Sequence, residues 1–422
     1  MQVANVDSDN SPRCCIRDII QNKRLQPHFQ PIVSIRRRDV IGLEALARGI
    51  GEGGSLISPD TLFGLAAVLD TILDLDKLCS KTAAESFLRL HTANPKLILF
   101  LNFHPSTVVS DLKGCGELLD VVEHLNLNPH NIVIEILESH IDDIKALSRM
   151  VDTYKQHGFL VALDDIGCGH SNLDRIAFIK PDILKIDRSL VQNIHNEYHK
   201  QQIFKSLVML SEKIGGWVIA EGIECQEEAI AVLELGADLL QGYYFARPHA
   251  IDAQRDNGFQ DIINDTANKF KSHKLAKIKA RKSKQEERLA IVDACLRELT
   301  TTKVEDFDWQ LNEIIGHYPS VVESIHILDE TGIQVSDCIC NLRHLQPQKT
   351  IIFPAPVKGT DHSLKEYYYL LLEAQFAYYT SELYVPRPSG DLCVTVSVRF
   401  HDANNQLFIL CVAMYADFAL EI

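Results

Sequence analysis

Apolar runs of strand length recur through the first 250 residues: "PHFQPIVSI" from Pro27, "VIGLEALAR" from Val40, "KLILFLNF" from Lys96 and "NIVIEILE" from Asn131. Four more follow: "LVALDDIG" from Leu160, "ILKIDRSL" from Ile183, "WVIAEGIE" from Trp217 and "LLQGYYFARP" from Leu239. Most neighbours are separated by stretches with helical periodicity, such as "ALSRMVDTYKQHG". Eight strands alternating with helices predict an α/β barrel. Only "RRRD" lies between Ile35 and Val40, too short for a parallel crossover. The first two strands are therefore expected to form an antiparallel hairpin, making the barrel irregular at its start.

The pattern changes between Ile251 and Leu299. "KFKSHKLAKIKARKSKQEERLAIVDACLREL" holds no Gly or Pro and many good helix formers. Leu275, Ile278, Lys282, Gln285, Leu289, Val292, Leu296 and Leu299 follow a 3-4-3-4 spacing, and six of the eight are apolar. Two readings stay open: a paired coiled-coil seam with a polar middle, or a linker helix packed on its own domain. The lysines from Lys269 to Lys284 read as a solvated face. The remaining residues predict an α+β domain. "SIHILDETGIQVSD" reads as strand, turn, strand, "SLKEYYYLLLEAQF" as an amphipathic helix and "LCVTVSVRFHDANNQLFILCVAMY" as a long hairpin. The expected organisation is a tail over 1–16, a barrel over 17–250, a helical linker over 251–299 and a further domain over 300–422.

Composition narrows the class. The 422 residues are 46% hydrophobic and 23% charged, as in a soluble globular protein of two or three domains. No apolar run approaches the roughly 20 residues needed to cross a bilayer, and "MQVANVDSDNSPRCC" lacks the apolar centre of a signal peptide. Eleven cysteines without a C-x-x-C pair suggest reduced thiols and a cytoplasmic setting. A net charge of −15 argues against DNA as a partner, without excluding a small anion held through metal ions.

Polar residues stand at or near the ends of successive strands: Glu44, Asn102, Glu135, Asp164 with Asp165, Lys185, Glu221 and Gln241. A polar residue within a strand is costly unless it is paired or holds something, and barrel sites lie at the carboxyl ends of their strands. Five carboxylates would converge there against one lysine. Two like charges about 4 Å apart repel by roughly 4 kcal/mol at an effective dielectric near 20. Either several of the acids are protonated or divalent cations are bound. Oxygen ligands with an Asn carbonyl suit Mg²⁺ or Mn²⁺, and adjacent Asp164 and Asp165 suit two ions.

At this point the residues resemble a known family. "LEALAR" at Leu43 is similar to the signature of EAL-domain cyclic di-GMP phosphodiesterases. "LNFHP" at Leu101, "EILE" at Glu135, "DDIGCGHSNL" at Asp164, "PDILKIDRSLV" at Pro181, "AEGIE" at Ala220 and "QGYYFARP" at Gln241 resemble its other motifs in order. The resemblance implies an irregular TIM-like (β/α)8 barrel with an antiparallel first strand. It also implies hydrolysis of cyclic di-GMP to linear pGpG with Mg²⁺ or Mn²⁺, two ions, and a homodimer. Glu44, Asn102, Glu135 and Asp164 resemble ligands of one ion, and Asp164 and Asp165 those of the other. Glu221 resembles the general base or a metal-site carboxylate, and Lys185 a residue that orients or polarises the attacking water. Gln30, Arg48 and Gln241 match dinucleotide-binding positions, and Glu138 and Glu224 match supports of the loop and metal shell.

The chain departs from the family at several places. Ile166, Cys168, His170 and Asn172 replace the Phe, Thr, Tyr and Ser of "DDFGTGYSSL", Leu137 replaces a Thr in "EITE", and Cys225 one in "EGVET". No implied ligand is lost, so rate and loop control are affected before metal binding. The competing readings are a receptor that binds cyclic di-GMP and barely cuts it, and a dimeric signalling scaffold. "GTDHSLKEYYYLLLEA" and "GDLCVTVSV" resemble Cache or PAS-like sensor modules, which implies a small ligand, with Tyr367 and Tyr368 as candidate pocket residues.

Overall fold

The computed structural model describes residues 12–103, 116–137, 144–168, 174–250, 258–341, 356–372, 376–386 and 389–416. Its residues fall into two compact units, 1–272 and 273–422.

The first unit is a closed barrel. Its strands are β1 (His28–Ser34), β2 (Asp39–Leu46), β3 (Ile98–Phe103), β4 (Ile132–Leu137), β5 (Leu160–Ile166), β6 (Ile183–Ile186), β7 (Trp217–Ala220) and β8 (Leu239–Leu240). The ring runs β1-β8-β7-β6-β5-β4-β3-β2. β1 is antiparallel to both neighbours, β2 and β8, and the remaining pairs are parallel. The expected hairpin is therefore present.

Each strand contributes one side chain to a buried apolar layer: Ile32, Ile41, Phe100, Val133, Ala162, Ile183, Ile219 and Leu239. In a strand, residues two apart share a face. Two positions onward, the same faces of β3 to β8 present Asn102, Glu135, Asp164, Lys185, Glu221 and Gln241. β1 runs the other way, so its polar position, Gln30, lies two residues before Ile32. On β2, Gly42 precedes Glu44 by two, because a Cβ at residue 42 would stand 2.5 Å from the Phe100 ring. The register shift between Ile32 and Val33 brings Ile41 into the layer instead. An apolar floor thus carries a polar ring at the mouth.

The second unit centres on a five-stranded antiparallel sheet: β9 (Val322–Asp329), β10 (Ile339–Cys340), β11 (Tyr378–Thr380), β12 (Cys393–His401) and β13 (Leu407–Tyr415), in the order β10-β9-β13-β12-β11. One face buries Ile325, Ile327, Val396, Val398, Leu410 and Val412 against Val292, Leu299, Phe307 and Leu311. The last two belong to the helix Phe307–His317, and the first two to a 42-residue helix, Gly258–Leu299.

That long helix decides the fate of the 3-4-3-4 spacing. Val292 and Leu299 are fully buried in this core, with Leu289 and Leu296 packed against it. Leu275 and Ile278 are exposed. The carboxyl half of the seam is therefore consumed within its own unit, and Gln285 donates to Thr380 Oγ1 of the same unit at 3.0 Å, so only the seam positions from Leu275 to Lys282 are exposed.

Candidate active site

Lys185 is the centre of the mouth. It is 1% exposed, and four carboxylates surround it. Its Nζ lies 2.6 Å from Glu221 Oε1, 2.7 Å from Glu135 Oε1, 3.2 Å from Asp164 Oδ1 and 3.6 Å from Glu44 Oε2. Amides hold Glu44 from the other side: Asn102 Nδ2 donates to its Oε1 at 2.9 Å, and Gln241 Nε2 to its Oε2 at 2.5 Å. Gln241 also reaches Gln30 Oε1 at 3.1 Å, and Gln30 donates to the Ala246 carbonyl. The cross-strand register makes these contacts, setting Gln30 opposite Glu44 and Asn102 beside Glu135.

One ammonium does not balance this group. Burial drives the Glu135 carboxyl well above the usual carboxylate range, and the Glu44 charge adds to it. Burial and then Asp164 do the same to Glu221. Burial also raises Asp164 and, with the Asp164 and Asp187 charges, lifts Asp165 to about 6. Glu44 goes the other way: burial would raise it, but Lys185 and the two amides hold it below the normal range. The Lys185 ammonium keeps its proton more firmly than a free lysine, because its acids outweigh the cost of burial.

The arrangement fits divalent cations. Asp164, Asp165 and Glu221 bring ligand oxygens within 4.8 Å of one another, the one such group among the described residues. Glu135 Oε2 is buried and finds no hydrogen-bond partner there. Asp165 holds a left-handed backbone (φ 57°), rare for a residue with a Cβ, while its amide donates to Asp164 Oδ1 at 2.9 Å. That turn puts two successive carboxylates at one mouth.

A cavity of about 320 Å³ opens above the acids, with Gln30, Glu44, Asp164, Asp165, Glu221 and Gln241 in its wall. Glu224 joins it and pairs with Arg188, Nη2 to Oε1 2.9 Å. Arg48 is not in that wall; its guanidinium donates to the Ala47 carbonyl at 2.8 Å. Glu138, His170 and Asn172 lie outside the described residues. Five wall residues were not singled out from the sequence: Leu46, Arg188, Gly222, Gly242 and Tyr243. Tyr243 carries the Arg247 guanidinium 4.2 Å from its ring centre. Arg188, three residues beyond Lys185 in "KIDR", could have been found as a cation just past the end of a barrel strand.

The EAL domain family model matches residues 13–248, more than half of the chain. The chain belongs to the EAL-domain family. Its EAL domain is 30% identical over 240 residues to the probable cyclic di-GMP phosphodiesterase PdeB of Escherichia coli, covering 56% of this chain and 45% of that protein. YkuI of Bacillus subtilis, an uncharacterised EAL-domain protein, is 26% identical over 323 residues, 76% of this chain and 78% of its own length. The crystal structure of YkuI in complex with cyclic di-GMP and calcium superposes with a TM-score of 0.80 over 96% of this chain and 99% of that one. At 23% identity, that likeness establishes a shared fold across both units. The EAL enzyme Bd1971 in its cGMP-bound form is 27% identical, with a TM-score of 0.51 over 56% of this chain and 65% of that one. The chain spans less than half the length of the first curated relatives it matches.

Proposed function

We propose that this EAL domain hydrolyses cyclic di-GMP to linear pGpG with Mg²⁺ or Mn²⁺, using two ions. The observation that carries this reading is the excess of buried carboxylate around Lys185. Glu44, Asn102, Glu135 and Asp164 are assigned to one ion and Asp164 and Asp165 to the other. Bound there, divalent cations supply positive charge that makes water acidic near neutral pH and offsets charge gathering on the phosphodiester. The naming of relatives such as PdeB as cyclic di-GMP phosphodiesterases supports the substrate.

Glu221 takes the proton of the attacking water, a general-base role worth about 10²–10⁴-fold. Lys185 fixes the Glu221 carboxylate at 2.6 Å and would add positive charge where negative charge gathers in the reaction. Gln30 and Gln241 hold the dinucleotide, and Glu224 braces Arg188 at the rim. Arg48 serves as a phosphate contact only if its side chain turns from the Ala47 carbonyl toward the mouth.

The working division is a tail over 1–16, the barrel over 17–250, the helical linker over 251–299 and a ligand-sensing domain over 300–422. A homodimer in the cytoplasm completes the reading. Among the described residues, no helix is long and apolar enough to cross a membrane. Incubating the purified protein with cyclic di-GMP and Mn²⁺, then separating the products by chromatography, tests the activity. Cyclic di-GMP that binds and is recovered intact would leave a receptor.

A further inference from the structure

The second unit carries a larger cavity than the barrel mouth, about 870 Å³, on the sheet face opposite its main core. Volumes of this order accommodate small organic ligands. Strict alternation along β9 would point Glu323 the same way as Ile325 and Ile327, into the apolar core. The register shifts instead: Val322 pairs with Met414 and Ser324 with Ala413, so Glu323 is the extra residue of a bulge. The bulge turns it into the cavity wall beside Ser324 and His326.

Glu323 is only 4% exposed, and its carboxylate has no hydrogen bond or ion pair among the described residues. A carboxylate that opens on the cavity and has no protein partner is available to a bound cation. Three tyrosines share the same wall, and each is fixed by its hydroxyl. Tyr384 bonds Thr395 Oγ1 at 2.6 Å, Tyr367 bonds His362 Nδ1 at 2.6 Å, and Tyr379 donates to Glu366 Oε2 at 3.1 Å. Among the described wall residues, Glu323, Glu366 and Glu382 stand with one lysine, the exposed Lys365, and two histidines, His326 and His362, both held toward the neutral form by burial.

We propose that this cavity binds a small organic ammonium ion, with Glu323 as its counter-ion and the three tyrosine rings as its walls. An unpaired acid supplies the charge, and aromatic faces favour a weakly hydrated cation over a strongly hydrated one. A metal ion fits less well. Cys338 and Cys340 also line the cavity with their sulfurs 3.7 Å apart, but no third ligand atom stands close enough to complete a site among the described residues. Tyr368 is not in this wall; its hydroxyl donates to the Glu330 carbonyl at 3.1 Å. The proposal stands apart from the chemistry assigned to the barrel.

Isothermal titration of the full chain with methylammonium, putrescine and choline tests it, with 3,3-dimethylbutanol as the uncharged isostere of choline. At least one ammonium should bind, and the isostere should not compete. Glu323→Gln, still folded by circular dichroism, should weaken that binding by about thirtyfold or more. Tyr384→Leu should weaken choline more than methylammonium. No heat with any of the three cations, binding of the isostere equal to that of choline, or unchanged affinity in Glu323→Gln would overturn the proposal. So would Zn²⁺ binding in place of the ammonium ions.

Discussion

Lys185 and Glu221 stand at the ends of adjacent parallel strands, and their side chains meet at 2.6 Å inside a ring that holds three more acids. Removing that ammonium leaves uncompensated buried charge. Lys185→Met should therefore lose about 3–5 kcal/mol of stability in metal-free buffer. Added Mg²⁺ should recover part of the loss, because it replaces the missing positive charge. Calorimetric melting with and without Mg²⁺ checks this; a variant as stable as the parent would show that the acids are already neutral.

Glu221→Gln keeps the shape of the site and removes the proton acceptor. Cyclic di-GMP affinity should change little, while kcat falls by about 10²-fold or more. A fall in affinity with kcat intact would move Glu221 from catalysis to binding.

Gly242 is held by its surroundings. A Cβ there would stand 2.1 Å from the Ile223 carbonyl oxygen and 2.3 Å from its nitrogen, both backbone atoms. Gly242→Ala should cost roughly 3 kcal/mol and displace Gln241 and Tyr243, its neighbours in the cavity wall. Denaturant melts report the first effect and cyclic di-GMP titration the second.

His326 gives the second unit an acid limit. Burial, and then the nearby His362, lowers it from 6.5 to about 3. The folded state keeps the ring neutral while the unfolded chain protonates it. The stabilisation is complete above pH 6.5 and is lost as pH falls toward 3. His326→Gln should flatten the pH dependence of this unit's melting temperature across that window. An unchanged slope would place the acid sensitivity elsewhere.

Much of the barrel was legible because its two layers follow the period of a strand. "LFLNF", "VIEI", "ALDD" and "ILKI" each show an apolar position followed two residues later by a polar one. The short link from Ile35 to Val40 likewise left a hairpin as the only connection. Contacts made past the strand ends were not legible. Arg188, the first residue of the short helix Arg188–Val191 after β6, meets Glu224 beyond the end of β7, and Arg48, past the end of β2, is turned aside by a backbone carbonyl. Heptad spacing could not distinguish a partner helix from the sheet that buries Val292 and Leu299. Glu323 was hidden for a different reason: a bulge reverses the face that alternation assigns.

The central claim is that these acids hold the cations the reaction needs. It is tested most directly by stripping the protein with chelator and titrating Mg²⁺ or Mn²⁺ back while following pGpG formation, in the parent and in Asp164→Asn. The account predicts no product without metal, full recovery on titration in the parent and none in the variant. Product formed in excess chelator, or a variant that recovers like the parent, would contradict it.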